Sequence, residues 1–366
     1  MKAARIVSPY AVRVVEEAEP EVGPDDVLAS VAYVGICGTD YSIYSGESSF
    51  LRTGQIRYPM RPGHEWSGVV YKVGAAVTDF KPGDRVVGDT SVSCGRCAFC
   101  MSGKFNLCPS TRCVGTVNTW DGAYAERMIM PSRHMYKVPD ALALDEAALV
   151  EPAATALHAV RMGKVAPGDT VVVHGTGTIG LFAVQFAKAC GASKVILTGV
   201  TDAKLSFGLR LGADIAIHAN KENVTETVLA HTEGLGADCV IEASGSLAAI
   251  AQVVLQAKPG ATVSVVGIYE HPLERLDIDQ LVFRQISLQG VNGSPGMFRP
   301  AMELMASGRV ESRRLITHRY RFEEIEHAMK AMKSEEDTRV KMMLCVSEEI
   351  AKADEERRGT PCSTET

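Results

Sequence analysis

The sequence has no long hydrophobic run and no excess of positive charge. Within its 366 residues, no uncharged apolar stretch reaches the roughly 18 residues that mark a membrane-spanning helix. The opening residues alternate like a strand and lack the apolar segment of a signal peptide. With 38 basic and 44 acidic residues the net charge is −6, which provides no basic face for a nucleic acid. We therefore expect a soluble cytoplasmic protein that binds neither membranes nor nucleic acids.

Cysteine is present, but not in the pattern of a disulfide-stabilised protein. Of the ten cysteines, four share one short loop and the others are scattered, which suits a reducing compartment. The chain is longer than one hydrophobic core usually supports, so two domains are expected. The scattered cysteines are Cys37, Cys113, Cys190, Cys239, Cys345 and Cys362.

The four clustered cysteines predict a structural zinc site. Gaps of two, two and seven residues separate them, so one loop can wrap four thiolates around a tetrahedral ion and leave no open position for substrate. An iron–sulfur cluster is the alternative, but ferredoxins with the same CxxCxxC opening place the fourth cysteine three residues on. The spacing therefore favours zinc. The four residues are Cys94, Cys97, Cys100 and Cys108.

The order of apolar segments predicts an α/β chain. Residues 1 to about 90 contain short Val- and Ile-rich runs separated by glycine and proline, which is typical of a β-rich domain. From about residue 168, apolar runs alternate with helical segments, including a helix from about Ile179 to Cys190, and this βαβ order predicts a parallel sheet. Its expected strands are TVVVHG, KVILTG, DCVIEASG, ATVSVVG and ISLQGV. A late run, VKMMLCV, is expected to return to the first domain, and the polar residues after it to be mobile.

A glycine-rich turn predicts a dinucleotide site. Gly175, Gly177 and Gly180 have GxGxxG spacing directly after an apolar strand and before a helix. The first glycine permits the tight turn, the second lets a pyrophosphate approach, and the third lets helix and strand pack closely. Thr178 and Ile179 open the helix, whose free N–H groups face the anion.

The position that distinguishes NAD from NADP lacks the usual acid. An acidic residue is expected at the end of the second strand, where it binds the ribose hydroxyls of NAD, but Gly199 occupies that place. Thr201 and Lys204 are placed to contact a 2′-phosphate, whereas Asp202 is the residue that would reach the ribose from a longer turn. Both cofactors stay open, and the missing acid favours tolerance of NADP.

Three separated segments carry the donors of a second metal site. GICGTD supplies Cys37, PGHEWSG supplies His64 and Glu65, and LVEPAATALHAV supplies Glu151. Singly, each has a structural explanation, as a core cysteine, a turn histidine or a helix-start acid. Together they offer sulfur, nitrogen and oxygen donors for an open zinc site. Other histidines lack partners at ligand spacing and are expected at the surface, namely His134, His218, His231, His271, His318 and His327.

These motifs resemble those of the zinc-containing medium-chain alcohol dehydrogenase family along nearly the whole chain. The run from Gly63 to Val77 fits the family's zinc signature, and the cysteine loop and glycine turn fall where the family has them. The resemblance implies a discontinuous GroES-like catalytic domain of residues 1–150 and 285–346, and a doubly wound Rossmann cofactor domain of residues 151–284. A polar tail of residues 347–366 would follow. The resemblance to the family also implies a homodimer or homotetramer.

Within the family, Glu151 followed by Pro152 resembles the polyol, threonine and sugar dehydrogenases. That branch implies a catalytic zinc held by Cys37, His64 and Glu65, with Glu151 binding it directly or through water. Which glutamate is the ligand stays open at this point.

The resemblance also implies that Thr39 takes the proton of the substrate hydroxyl, with Asp40 supporting the site. Two departures concern the substrate pocket. Ser42 and Ile43 replace the histidine and aromatic residue of many polyol enzymes, and residues 293–294 are Gly–Ser where an Arg–Tyr pair is expected. Without the relay histidine, the last proton step is expected to use solvent.

The expected function is hydride transfer between NAD or NADP and a secondary hydroxyl of a polyol, cyclitol or sugar-like substrate, in either direction. Zinc would ease loss of the hydroxyl proton. A threonine-type 3-hydroxy amino acid dehydrogenase is one alternative, but it needs a carboxylate for the substrate ammonium group, and none is identified. A nicotinamide-binding protein without alcohol chemistry is an alternative of another class. The presence of Cys37, His64 and Glu65 argues against this alternative, because a protein that only binds the nucleotide does not need an open zinc site.

Overall fold

The computed structural model describes residues 1–273, 275–333 and 339–358. Its strands are β1 (Lys2–Ser8), β2 (Ala11–Glu16), β3 (Asp26–Ile36), β4 (Glu65–Val73), β5 (Arg85–Gly88), β6 (Ser91–Val92), β7 (Arg112–Cys113), β8 (Arg127–Pro131), β9 (Met135–Lys137), β10 (Thr170–His174), β11 (Lys194–Gly199), β12 (Ile215–His218), β13 (Ala237–Glu242), β14 (Ala257–Val265), β15 (Ser287–Gly290), β16 (Ile316–Arg321) and β17 (Lys341–Cys345). Its α-helices are α1 (Gly38–Ser45), α2 (Ser49–Arg52), α3 (Ala98–Met101), α4 (Leu144–Ala147), α5 (Val150–Met162), α6 (Thr178–Ala189), α7 (Asp202–Arg210), α8 (Val224–Ala230), α9 (Leu247–Ile250), α10 (Val253–Gln256), α11 (Ile278–Phe283), α12 (Phe298–Ala306), α13 (Ile325–Ala331) and α14 (Glu348–Arg358).

Among the described residues, six parallel strands form a doubly wound sheet in the order β12–β11–β10–β13–β14–β15. The strand order reverses between β10 and β13, which is where open α/β sheets bind their ligands. Val171 and Val173 of β10 belong to the apolar core that contains α5 and α6, whereas Val172 belongs to the core on the other face. Both faces of the sheet are therefore covered, as a parallel sheet requires.

Most elements of this sheet were expected from the sequence. The predicted helix from Ile179 to Cys190 corresponds to α6, which runs from Thr178 to Ala189, and the five predicted runs correspond to β10, β11, β13, β14 and β15. β12 was missed, because its four residues are mostly half-buried and give no continuous apolar run. The boundary at residue 284 needs correction. β15 pairs in parallel with β14, so the cofactor sheet continues past residue 284.

A second, mostly antiparallel sheet has the order β16–β17–β3–β4–β5–β9, with β8 also paired to β3. The late run VKMMLCV does return to the first part of the chain, because β17 pairs antiparallel with β3 and places Met342 opposite Ile36. β4 pairs with the other edge of β3 and places Glu65 opposite Gly35. The first residue of β17, Lys341, is therefore brought to the end of β3 and the start of β4.

The polar segment after β17 does not begin as a mobile tail. It forms α14, and the buried carboxylate of Asp354 on this helix accepts the backbone N–H of Leu144 at 3.0 Å and pairs with Arg85 at 2.8 Å. Because an acidic residue anchors this helix, the apolar pattern of the sequence does not predict that the helix packs against the protein. Residues 359–366 of the predicted tail lie outside the described residues. No helix in the described part of the chain has the length and apolar character to cross a membrane.

Candidate active site and metal centres

Cys37 is held at the start of α1. It is the N-cap residue of the helix, and its backbone N–H donates to Oδ2 of Asp40 at 3.0 Å. The sequence CGTD favours this turn because an acid three residues after the cap can reach back to the N-cap N–H. The cap therefore fixes the direction of the Cys37 thiol at the end of β3.

Asp40 also holds the segment that carries the histidine. Its Oδ1 accepts the Gly63 N–H at 3.4 Å and lies 3.5 Å from Nδ1 of His64, and its Oδ2 accepts the Tyr124 hydroxyl at 3.0 Å. Complete burial raises the pKa of Asp40, but His64 and the hydrogen-bond donors outweigh burial and lower it overall. The Asp40 carboxylate therefore faces the Nδ1 side of the His64 ring, which leaves Nε2 for a metal.

Cys37, His64 and Glu65 form one cluster. A sulfur, an imidazole nitrogen and a carboxylate oxygen from these three residues lie within 4.8 Å of one another. Thiolate, imidazole and carboxylate are the donors that zinc takes in proteins, and three of them leave a further position open. The residues present therefore fit a catalytic zinc ion.

A buried lysine at this cluster was missed by the sequence analysis. Lys341 Nζ donates to both carboxylate oxygens of Glu65, at 2.7 and 2.6 Å, and to the carbonyl of Ile36 at 3.3 Å. Only 4% of Lys341 and 1% of Glu65 is exposed. Because lysine is almost never buried without a partner, the lysine in the apolar run VKMMLCV was the available signal.

Glu151 lies near this cluster but is not one of its members. Within the described residues, the group of mutually close ligand atoms contains Cys37, His64 and Glu65 and does not include Glu151. Oε1 of Glu151 accepts the hydroxyl of Thr155, one turn further along α5, at 3.4 Å. Burial and the charge of Glu65 raise the pKa of Glu151 to about 7, although His64 and Lys341 act in the opposite direction. The structure therefore brings three of the four predicted ligands together.

Thr39 is half-buried in the first turn of α1, between Cys37 and Asp40. Its backbone carbonyl accepts the hydroxyl of Ser42 at 3.1 Å. The serine that stands at the position of the relay histidine therefore turns back onto its own helix. Near the other departure from the family pattern, Nδ1 of His158 on α5 lies 2.7 Å from the carbonyl oxygen of Gly293.

The four-cysteine loop closes on itself as its spacing predicts. The sulfurs of Cys94, Cys97, Cys100 and Cys108 all lie within 4.8 Å of one another. The distance from Sγ of Cys100 is 3.9 Å to Sγ of Cys94 and 3.5 Å to Sγ of Cys97. Backbone N–H groups of Arg96 and Cys97 lower the pKa of the Cys94 thiol to about 6, which favours the thiolate that zinc requires. Four converging thiols fit a closed, tetrahedral zinc site.

This loop is anchored by His134, which the sequence analysis wrongly placed at the surface. The side chain is buried, and its Nε2 accepts the backbone N–H of Ser93 at 3.1 Å. Its ring packs edge-on against Phe105, with 5.7 Å between centroids. Burial, assisted by the charge of Arg133, lowers the pKa of His134 to about 4. The neutral ring is therefore an acceptor for the loop backbone, a role that residue spacing does not reveal.

The glycine turn lies at the switch point of the parallel sheet. Gly175 has a φ of 103°, and a Cβ on Gly180 would lie 1.9 Å from the Gly175 carbonyl oxygen, so both positions require glycine. Apart from Gly177 and its two chain neighbours, no described residue has an atom within 4 Å of the place a Cβ on Gly177 would take, which leaves room for a pyrophosphate. The hydroxyl of Thr178 donates to the carbonyl of Val340 at 3.2 Å and so ties α6 to the catalytic sheet.

The predicted ribose-binding residues surround the carboxyl end of β11. Gly199 is the last residue of the strand, and Thr201 is the N-cap of α7, where its side chain makes no capping hydrogen bond. Lys204 is the third residue of α7. Asp202, which opens the helix, pairs with Lys221 at 2.6 Å. The structure therefore brings these residues to one edge of the cofactor sheet.

Comparison with known proteins agrees with this geometry. Residues 23–140 match the alcohol dehydrogenase GroES-like domain, and residues 178–307 match the zinc-binding dehydrogenase family. Sorbitol dehydrogenase of Bacillus subtilis is 31% identical over 329 residues, covering 90% of this chain and 92% of the relative. L-threonine 3-dehydrogenase of Bacillus licheniformis is 37% identical over 317 residues, covering 86% of this chain and 90% of the relative.

A solved structure extends this likeness to three dimensions. A zinc-binding dehydrogenase of Sinorhizobium meliloti 1021, bound to NADP, matches with a TM-score of 0.86 and 32% identity, covering 94% of this chain and 99% of that one. The chain therefore belongs to the zinc-dependent medium-chain alcohol dehydrogenase family. It is a zinc-dependent oxidoreductase that uses a nicotinamide dinucleotide, which confirms the fold class, enzyme class and cofactors expected from the sequence.

Proposed function

We propose that this protein oxidises a secondary hydroxyl of a polyol, cyclitol or sugar-like substrate with a nicotinamide dinucleotide, or reduces the corresponding ketone. The observation that carries this proposal is the donor set at the open site. Cys37, His64 and Glu65 converge there, and the nearby group on α5 is the half-buried carboxylate of Glu151 rather than a thiol. The relatives named sorbitol dehydrogenase support the same substrate class.

In this proposal, Cys37, His64 and Glu65 hold the catalytic zinc, and Glu151 is the further oxygen donor, directly or through water. Zinc bound there would act as a Lewis acid toward the oxygen of the substrate. A second zinc, held by the four-cysteine loop, is structural. The dinucleotide is bound by the glycine turn and the end of β11, through Gly175, Gly177, Thr178, Ile179, Gly180, Gly199, Thr201 and Lys204.

Thr39 takes the hydroxyl proton in this proposal. It stands two residues after Cys37, and the neighbouring Ser42 hydroxyl is already bonded within α1, so the proton leaves through solvent. A Thr39→Val protein keeps nearly the same shape but lacks the hydroxyl. We expect its turnover to fall roughly 10²- to 10⁴-fold with zinc content and dinucleotide binding unchanged. Steady-state rates, metal analysis and nucleotide titration measure the three quantities.

Two further substitutions serve as controls for this prediction. Ser42→Ala removes a hydroxyl from the same helix and should leave turnover near the original value, because that hydroxyl only caps its own helix. Thr39→Ser keeps the proton acceptor and should retain most of the activity. Unchanged turnover in Thr39→Val would show that Thr39 does not relay the proton.

The substrate class is tested by following nicotinamide absorbance with zinc-loaded protein and a panel of polyols, cyclitols, threonine and simple secondary alcohols. Each is offered with NAD and with NADP. Turnover of polyols or cyclitols is the expected result. A threonine dehydrogenase is the second candidate, because the relative of that name shares 37% identity with this chain. Turnover of threonine alone would replace the first candidate with the second.

We also propose that two copies of the chain associate through the outer edge of the cofactor sheet, to form a homodimer or part of a homotetramer. β15 is the edge strand, and its Leu288 is 44% exposed. Val282 and Phe283 of α11, the helix that precedes β15, are 59% and 79% exposed. An unpaired strand edge with exposed apolar side chains promotes aggregation unless another chain covers it. A second copy related by two-fold symmetry presents the same edge and would continue the sheet.

A Phe283→Asp protein should therefore be monomeric. The carboxylate would be buried without a partner in the dimer but solvated in the monomer, which favours dissociation. Light scattering coupled to size-exclusion chromatography measures the change. Leu209→Asp is the matched control, because Leu209 is 44% exposed on α7, away from this edge, and should keep the original oligomeric state. A monomeric unsubstituted protein would contradict the proposal.

A cytoplasmic location is proposed on the basis of the cysteines. Those that the structure describes are all free. Unpaired thiols, four of them in a zinc-binding loop, are typical of a reducing compartment.

A further inference from the structure

We propose that this enzyme prefers NADP(H) to NAD(H), and that Thr176 and Gly199 set this preference together. The inference rests on the proposed function, since it concerns the dinucleotide of the same dehydrogenase. It adds which form of the cofactor binds and which pair of residues selects it.

There is no room for a side chain at Gly199, where an NAD-binding fold carries its ribose-binding acid. A Cβ at this position would lie 2.5 Å from Cγ2 and 3.1 Å from Oγ1 of Thr176, and 3.3 Å from Cδ2 of Leu205. Thr176 is 8% exposed and Leu205 is 5% exposed, and close-packed surroundings resist such a displacement. The side chain of Thr176, inside the glycine turn, therefore occupies the space that the Cβ of an aspartate at position 199 would need.

The backbone of Gly199 does not itself require glycine. The residue is part of regular parallel pairing, opposite His218 of β12, and its carbonyl accepts the backbone N–H of Ala219 at 2.8 Å. Its φ is outside the left-handed range. Steric contact with Thr176, rather than backbone conformation, therefore limits which residue can occupy position 199.

The next acid along the chain does not replace the missing one. Asp202 pairs with Lys221 at 2.6 Å, and its other oxygen lies 3.7 Å from Nε2 of His218. Its negative charge is therefore paired with the ammonium group of Lys221, which follows β12. Lys204 lies on the same turn of α7 as Asp202.

Charge discriminates between the two cofactors at such a site. An acid at the end of the second strand binds the 2′-hydroxyl of NAD and repels the 2′-phosphate of NADP. Here the repelling acid is absent, and Lys204 and Lys221 lie at the same end of the cofactor sheet as Gly199. Charge-assisted contacts to phosphate are stronger than neutral hydrogen bonds, so NADPH is expected to bind at least about tenfold more tightly than NADH.

Titration of the zinc-loaded protein with NADPH and with NADH, followed by nicotinamide fluorescence or calorimetry, measures both dissociation constants without turnover. Tighter binding of NADPH is the expected result. Equal binding, or tighter binding of NADH, would overturn the cofactor preference and leave the proposed dehydrogenase intact. If neither nucleotide bound, the proposed function would fail, and the inference with it.

Substitutions distinguish the steric effect of Thr176 from the effect of an acidic charge at position 199. Gly199→Asp alone should weaken the binding of both nucleotides, because its Cβ displaces Thr176. The double substitution Thr176→Ala/Gly199→Asp makes room for the acid and should reverse the preference in favour of NADH. Thr176→Ala alone should keep the preference for NADPH, since no acid is added.

Gly199→Ala is the matched control, because it adds the Cβ without the charge. It should weaken binding of both nucleotides, and Thr176→Ala/Gly199→Ala should restore binding of NADPH. If Gly199→Asp alone reversed the preference as fully as the double substitution, Thr176 would have no part in selection. Circular dichroism of each variant verifies that the protein is folded.

Discussion

A Lys341→Met protein is expected to lose about 3–5 kcal/mol of its free energy of unfolding, together with nearly all turnover. The lysine makes two hydrogen bonds to the Glu65 carboxylate, at 2.7 and 2.6 Å, inside a region where both side chains are buried. Burial alone would lower the pKa of Lys341, but Glu65 outweighs it and raises the pKa, so the lysine is charged at neutral pH. In the metal-free protein, methionine would leave the Glu65 charge buried beside Cys37 and His64 without a positive partner. Urea unfolding and steady-state kinetics measure the two effects.

The expected loss of stability in Lys341→Met is caused by the burial of the ion pair. An exposed ion pair with a similar distance tests this explanation. Lys330 and Glu326 on α13 are also separated by 2.6 Å, but their side chains are 62% and 58% exposed. Lys330→Met should change the free energy of unfolding by no more than about 0.5 kcal/mol. A similar, small change at both lysines would contradict the view that Lys341 compensates a buried charge.

Removal of both charges separates stability from catalysis. In Glu65→Gln/Lys341→Met no uncompensated charge remains, so most of the lost stability should return, because replacing a whole buried ion pair is often nearly neutral. Turnover should stay low, since the carboxylate donor of the metal cluster is gone. Recovery of both stability and turnover would show that Glu65 is not needed at the metal.

The cysteine loop and the glycine turn could be predicted from the sequence because their signals are local, whereas the donors of the open site come from three separated segments and were grouped by their chemistry. Cys94, Cys97 and Cys100 follow one another within a single loop, and the glycine turn falls directly between a strand and a helix. Lys341 has a local signal, a lysine in an apolar run, but its partner Glu65 is 276 positions away, so the sequence does not identify the pair. The return of its strand to the first sheet was expected from apolar content, but the register was not, and a shift of one residue would turn the lysine to the opposite face.

Buried polar groups account for the other missed features. His134 is held by a backbone N–H and Asp354 by a backbone N–H and Arg85, so neither follows from hydrophobic periodicity. At the cofactor edge, the absence of an acid at Gly199 is visible in the sequence. The reason for it, the Thr176 side chain in the adjoining space, depends on a contact between two turns that sequence patterns do not record.

The second large effect is expected at the four-cysteine loop. A Cys100→Ser protein should contain about one zinc per subunit instead of about two, because a structural site with three thiolates and a hydroxyl binds zinc poorly. Metal binding and folding are linked at such sites, and peptide zinc sites reach roughly 10–16 kcal/mol. The loss here should be smaller but still several kcal/mol, since the loop also holds Asn106, whose amide donates to the Asn292 carbonyl at 2.6 Å. Metal analysis and thermal unfolding measure the change.

Cys113→Ser is the matched control for this prediction, because it makes the same chemical change in β7, close to the loop but outside its sulfur cluster. Burial raises the pKa of Cys113 to about 11, and the residue lies outside both groups of converging ligand atoms in the described part of the chain. The control protein should keep both zinc ions and unfold at nearly the original temperature. In Cys100→Ser, the remaining zinc should be the catalytic one, since Cys37 and His64 are placed by α1 and the turn before β4 rather than by the loop. Retention of both zinc ions in Cys100→Ser would show that the loop is not a zinc site.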